Sequence, residues 1–246
     1  MFDIHKVKPV HGWREFIGEV GIIVLGVLIA LTAEQIVEAI HWHMKANEAQ
    51  TAIAHEIAND VSNYAERIVI QPCLEAQLDQ IEAHVADSGK TTPLTLQQDA
   101  KWAFVFMHPE RSWSNQVWNS TAAEGTQSHL PDETRLGLEE YYGVLNRMRD
   151  RSEAEDAAAD ALLALSKPIA INSTSRFQLV QLIEAERSRS SDMTLNAKHQ
   201  LDRIKLFAPR ALGPEGQPIW YDYHDVDSTA AWCRAHQLPL ALMPKL

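Results

Sequence analysis

Glu34, Glu38 and His41 are the residues whose types and spacing come closest to a metal-binding pattern. Glu-x-x-His sets a carboxylate and an imidazole on one helix face, the arrangement that carboxylate-bridged di-iron bundles use in pairs. No other histidine of this chain has Glu three residues before it, so the second half of such a site is missing. The three residues also border an apolar run, where a polar cap at a membrane edge is the simpler reading. Cys233 and His236, with His224, Asp225 and Asp227 nearby, hold soft and nitrogen donors that zinc accepts. Structural zinc takes four such ligands in tight pairs, and this set is incomplete. Burial of Cys233 in a small apolar contact is expected instead. His55-Glu56 lacks the second histidine of a metalloprotease helix, and the chain has no Gly-x-Ser-x-Gly elbow, phosphate loop or dinucleotide fingerprint. These residues assign no catalytic group, no metal and no cofactor, and a non-enzymatic protein is expected.

A second group of interest is aromatic. Trp102, Phe106, Trp113, Trp118, Tyr141 and Tyr142 combine large apolar area with polar tips. At their spacings core packing is the expected role, with Trp118 covered by the helix that carries Tyr141 and Tyr142. The alternative is a binding surface or cleft formed by Trp102, Trp113, Trp118 and Tyr142, which would receive a small molecule or peptide, or serve a membrane-tethered enzyme.

The element that must hold all of this lies at the N-terminus. From Val20 to Ala33 the sequence is apolar and uncharged, with Glu19 and Glu34 at its edges and Trp13 and Trp42 beyond them. The uncharged middle alone is about 21 Å of helix, but Trp13 to Trp42 covers roughly 43 Å, close to a bilayer with its headgroups. Indoles favour both interfaces. A secretory signal would need a small residue where Leu31 stands, so the anchor is expected to be kept. Lys6, Lys8 and Arg14 precede the span and only Lys45 follows closely, which by the positive-inside rule leaves residues 1–15 in the cytoplasm. Residues 16–40 then form the transmembrane helix of a bacterial inner-membrane protein, 41–207 a periplasmic antiparallel helical bundle, and 208–246 a strap rich in proline and aromatics with one short helix near Ser228 to His236. The fold class is all-α.

Within the domain, Ile53, Ile57, Val61, Tyr64 and Ile68 mark one apolar helix face. Pro72 is expected to end that helix, and Leu74, Leu78, Ile81 and Val85 to form the returning arm of a hairpin. Further helices are expected over Thr95–Met107, from Ser112 to about Glu124 with Gly125 as its stop, from Asp132 through Leu165 with Pro168 as the break, over Ser173–Ser190 and over Asp192–Phe207. No strand-like alternation competes.

The run WREFIGEVGIIVLGVLIALTAEQIVEAIHW resembles the N-terminal anchor of a widespread group of uncharacterised single-span bacterial membrane proteins. Trp118, Ala122 and Gly125 in WNSTAAEG, followed by Tyr141 and Tyr142, resemble the helical domain of the same group. The resemblance implies a bitopic protein with an exported helical domain and carries no activity with it.

Partners follow from charge and from the span. A net charge of −11 without a basic block argues against nucleic acid. The lipid bilayer is one partner, and Gly26 and Ala30, four apart with Gly18, Ala33 and Ala39 near that face, suggest a second helix, from another protein or another copy of this one. Cys73 and Cys233 make no disulfide framework; an oxidising compartment permits one bridge, but two unrelated thiols are the expectation. Together these features point to an interaction module: an accessory, scaffold or sensor-like subunit of an envelope complex.

Overall fold

A computed structural model describes residues 12–87, 104–212 and 223–244, with 223–228 described by their backbone alone. Every regular element among these residues is helical: α1 (Trp13–Ala86), α2 (Gln116–Ala123), α3 (Asp132–Leu162), α4 (Ser173–Phe207) and α5 (Tyr223–Ala235), with short 3-10 turns between them. The chain divides into two compact units, Met1–Asn47 and Glu48–Leu246.

In the first unit, α1 is long and apolar enough to cross a membrane, and its most apolar stretch buries nothing against the protein. Ile22, Leu25, Ile29 and Leu31 are all exposed. A water-soluble core helix would cover such residues, so the exposure suits a lipid environment. The Thr32 hydroxyl donates to the Leu28 carbonyl at 2.7 Å, which satisfies the one hydroxyl of the apolar stretch without a partner from outside the helix.

In the second unit, α1 contributes the central apolar face. Ile57, Val61 and Tyr64 are fully buried, and so are Leu74, Leu78, Ile81 and Val85 further on. Pro72 does not end the helix, contrary to expectation, and no hairpin forms there: α1 runs through it to Ala86. Proline removes the N–H that the Ile68 carbonyl would accept and crowds the turn before it. The turn is held instead from outside. The Ala241 N–H donates to the Val69 carbonyl at 2.8 Å, and Cys73, next to the proline, is bonded to Cys233. The two cysteines are therefore a disulfide, not unrelated thiols, and both are fully buried beside Trp232.

Three other expectations change. Phe104–Met107, the described end of the segment placed at Thr95–Met107, is not helical, because the Gln77 amide takes over its backbone pairing: Gln77 Nε2 donates to the Met107 carbonyl at 3.0 Å and the Met107 N–H donates to Gln77 Oε1 at 2.7 Å. The helices expected either side of Ser191 are one, α4. Ser190 and Thr194 do not break it; both hydroxyls donate to Gln71 Oε1 on α1, at 2.8 and 2.7 Å. The tail helix begins at Tyr223, five residues before the expected start.

The chain's turns are local in origin. α4 opens on a capping box in which Asn172 and Ser175 satisfy each other's backbone N–H groups at 2.9 Å. Gly125 closes α2 with φ of 73°, a left-handed conformation that suits a residue without Cβ. α3 and α4 pack closely enough at Gly137 that a Cβ there would lie 2.4 Å from Cβ of Phe207.

Candidate functional site

Polar side chains on α1 form a buried seam against α3, α4 and the segment before α2. At one end, Glu56 and Asp60 stand one turn apart, both buried. Glu56 accepts the Tyr142 hydroxyl at 2.7 Å, the Ser114 hydroxyl at 2.8 Å and the backbone N–H groups of Val117 and Trp118 at 3.0 and 3.4 Å. α2 has no side-chain cap of its own, so Glu56 caps it from another helix. Asp60 accepts the Tyr141 hydroxyl at 3.0 Å. Burial pushes the Asp60 carboxyl well above its ordinary range; the Tyr141 bond opposes that, and the neighbouring Glu56 adds to it. Burial likewise raises Tyr64 and Tyr141, so neither phenol is poised as a base near neutral pH.

The indole of Trp118 stacks on Tyr142 with centroids 5.1 Å apart and planes 7° from parallel. Trp113 packs on Tyr64 at 5.2 Å, and its carbonyl accepts from Nε of Arg149 at 3.1 Å. Trp113, Trp118 and Tyr142 are all buried in this arrangement, the Tyr142 hydroxyl and the Trp118 backbone N–H held by Glu56 and the Trp113 carbonyl by Arg149. Trp102 lies outside the described residues.

The second part of the seam was not anticipated. Arg67 donates to Glu155 Oε2 at 2.7 Å, with both side chains almost wholly buried. Glu186 of α4, also fully buried, is bonded to Arg189 and neighbours Glu155. His108 approaches from the segment before α2, its Nδ1 lying 3.6 Å from Asp156 and 3.9 Å from Glu155. Burial raises the Glu155 carboxyl, but Arg67 outweighs that and holds it below the ordinary value; Glu186 is pushed up to about 8 by burial and by the Glu155 charge. Beside His108 a cavity of about 410 Å³ opens between Phe104–Arg111, α3 at Ala159, Asp160 and Leu163, and Thr229 of α5. Its size falls within the range of small-ligand sites. Trp113, Trp118 and Tyr142 do not line it.

Outside the seam, Glu38 accepts the Trp42 indole N–H at 3.4 Å and Lys45 lies 5.7 Å from the Trp42 ring, contacts of the kind a membrane-edge cap makes. Gly26 and Ala30 are exposed, and a Cβ on Gly26 would meet nothing within 4 Å. Among the described residues no group of His, Cys, Asp and Glu is arranged to hold a metal ion.

Comparison with known proteins found no matching family model, no matching curated protein and no matching solved structure.

Proposed function

We propose that this chain is a single-span inner-membrane protein whose N-terminus is cytoplasmic and whose periplasmic helical domain works by binding, as an accessory, scaffold or sensor-like subunit of an envelope complex. The observation that carries the reading is the exposed apolar stretch of α1 leading directly into a domain with a core of its own. The resemblance of the anchor to exported single-span proteins supports it. So does the Cys73–Cys233 disulfide, a bond that persists in oxidising compartments.

Topology is tested by fusion after Leu246. Alkaline phosphatase there is expected to be active and a fluorescent protein dark, because Lys6, Lys8 and Arg14 keep the other end inside. The reverse pattern overturns the periplasmic assignment.

The partner is expected along the membrane helix. Gly26→Ile or Ala30→Ile sets a branched side chain on the open small-residue face and should reduce crosslinking in membranes, to another copy or to a second protein, by roughly tenfold, about 1.4 kcal/mol. The melting temperature of the domain should not change. Wild-type crosslinking in both variants would mean that this face meets only lipid.

A second reading is favoured by one observation, the cavity beside His108: the domain binds a small ligand there, or acts on it. Ligand screening by thermal shift, with Thr229→Trp filling the cavity as control, separates this from a purely protein-binding role.

A further inference from the structure

We infer that Glu155 and Glu186 share one proton and form a pH-sensitive clasp that ties α3 and α4 to Arg67 of α1. Oε1 of Glu155 and Oε1 of Glu186 are both sealed from solvent with no donor, and the two carboxyl groups are neighbours in one buried cluster with Arg67 and Arg189. Two carboxylates have only acceptors to offer. One proton turns the pair into a donor and an acceptor and offers the stranded oxygens a partner, as in other carboxyl pairs that cannot ionise together.

The surroundings hold that proton without replacing it. Arg67 faces the pair from α1, but Nε and Nη2 find no acceptor, so its guanidinium engages Glu155 through one nitrogen. Arg189 binds the outer oxygen of Glu186 from α4. His108 and Asp156 complete the titratable neighbourhood, His108 from the segment before α2 and Asp156 from α3, and His108 Nδ1 is itself without a hydrogen bond. His108 also lines the 410 Å³ cavity, which brings solvent to the edge of the cluster.

The direction of the pH effect follows from the raised carboxyl. Glu186 moves from an ordinary 4.5 to about 8, so the folded state holds the proton more tightly than the unfolded chain. The stabilisation is complete below about pH 4.5 and is lost as pH climbs toward 8. Above that, two buried carboxylates repel across the α3–α4 seam and the clasp loosens.

The test uses the full chain in detergent micelles. Wild type should lose on the order of 5–10 °C of melting temperature between about pH 5 and pH 9. Glu186→Gln, whose amide donates to Glu155 as the proton does, should fold and lose at least half of that slope. Infrared difference spectra over the same range should show protonated-carboxyl absorption disappearing in wild type, with part of the signal absent from Glu186→Gln and the Asp60 part retained. The same slope and the same carboxyl signal in both proteins overturns the clasp. Should Glu186→Gln fail to fold, Asp60→Asn alone must still show a protonated carboxyl above about pH 6, and its absence overturns the proposal equally.

Discussion

Replacing Cys73 and Cys233 by serine is expected to lower the melting temperature of the full chain by roughly 10 °C, one of the two largest single effects available in this structure. The bond joins positions 160 residues apart, so its loss frees nearly the whole domain sequence as one loop in the unfolded state. Chain entropy for a loop of that length amounts to about 5 kcal/mol, and removal of native disulfides commonly costs about 2–5 kcal/mol. The native state suffers too. Trp232, Leu238 and Leu240 pack around the sulfurs, and the Ala241 bond to the Val69 carbonyl beside Pro72 depends on the tail remaining docked. Hydrogen exchange at the Ala241 amide should therefore rise more than at α3 or α4. Because both sulfurs are fully buried, mild reductant should leave the folded protein oxidised until heat or denaturant opens it. Equal melting temperatures for the wild type and the double serine variant would show that the tail is held by its apolar contacts alone.

The same bond shows why the sequence was legible in some places and misleading in others. Helix faces are local: Ile53, Ile57, Val61 and Tyr64 repeat at helical spacing, and every one of them is buried as that spacing requires. Gly125 as a helix stop and Asp132 as a helix start are also local signals. Pro72 was read from local chemistry as a terminus, whereas the groups that hold its turn, Ala241 and Cys233, arrive from the other end of the chain. The two helices expected over Ser173–Ser190 and Asp192–Phe207 are one, and the hydroxyls of Ser190 and Thr194, which could compete with helix bonds, are taken up by Gln71 on α1. The buried seam left a fainter trace. Glu56 and Asp60 each stand immediately before an apolar anchor, Ile57 and Val61, and so border the core-facing stripe of α1. Acids in that position invite the question of what satisfies them. The answers, Tyr142 and Tyr141, lie over 80 residues away, and no spacing rule connects them. Arg67, Glu155 and Glu186 share that difficulty across three helices.

Trp118→Ala is expected to destabilise the domain by roughly 3–5 kcal/mol, the usual scale for deleting a large buried aromatic. Three losses coincide at this residue. The indole leaves the face of Tyr142, where the near-parallel contact contributes beyond its area. α2 is only eight residues long and cannot hold helical structure by propensity, so its register depends on this contact and on the Glu56 cap. A cavity opens beside the Tyr142 hydroxyl bond to Glu56, the polar anchor of the whole segment. Trp118→Phe keeps a ring on Tyr142 and should recover most of the stability, whereas Glu56→Ala should approach the Trp118→Ala loss, because it strands the Tyr142 hydroxyl and two backbone donors while the indole stays in place. Thermal melting of the three variants in the full chain ranks them directly. Should Trp118→Ala melt with the wild type yet lose capture of a protein or ligand, Trp118 would be a contact residue after all, and Glu56 would be holding α2 as a presented surface and not as part of the core.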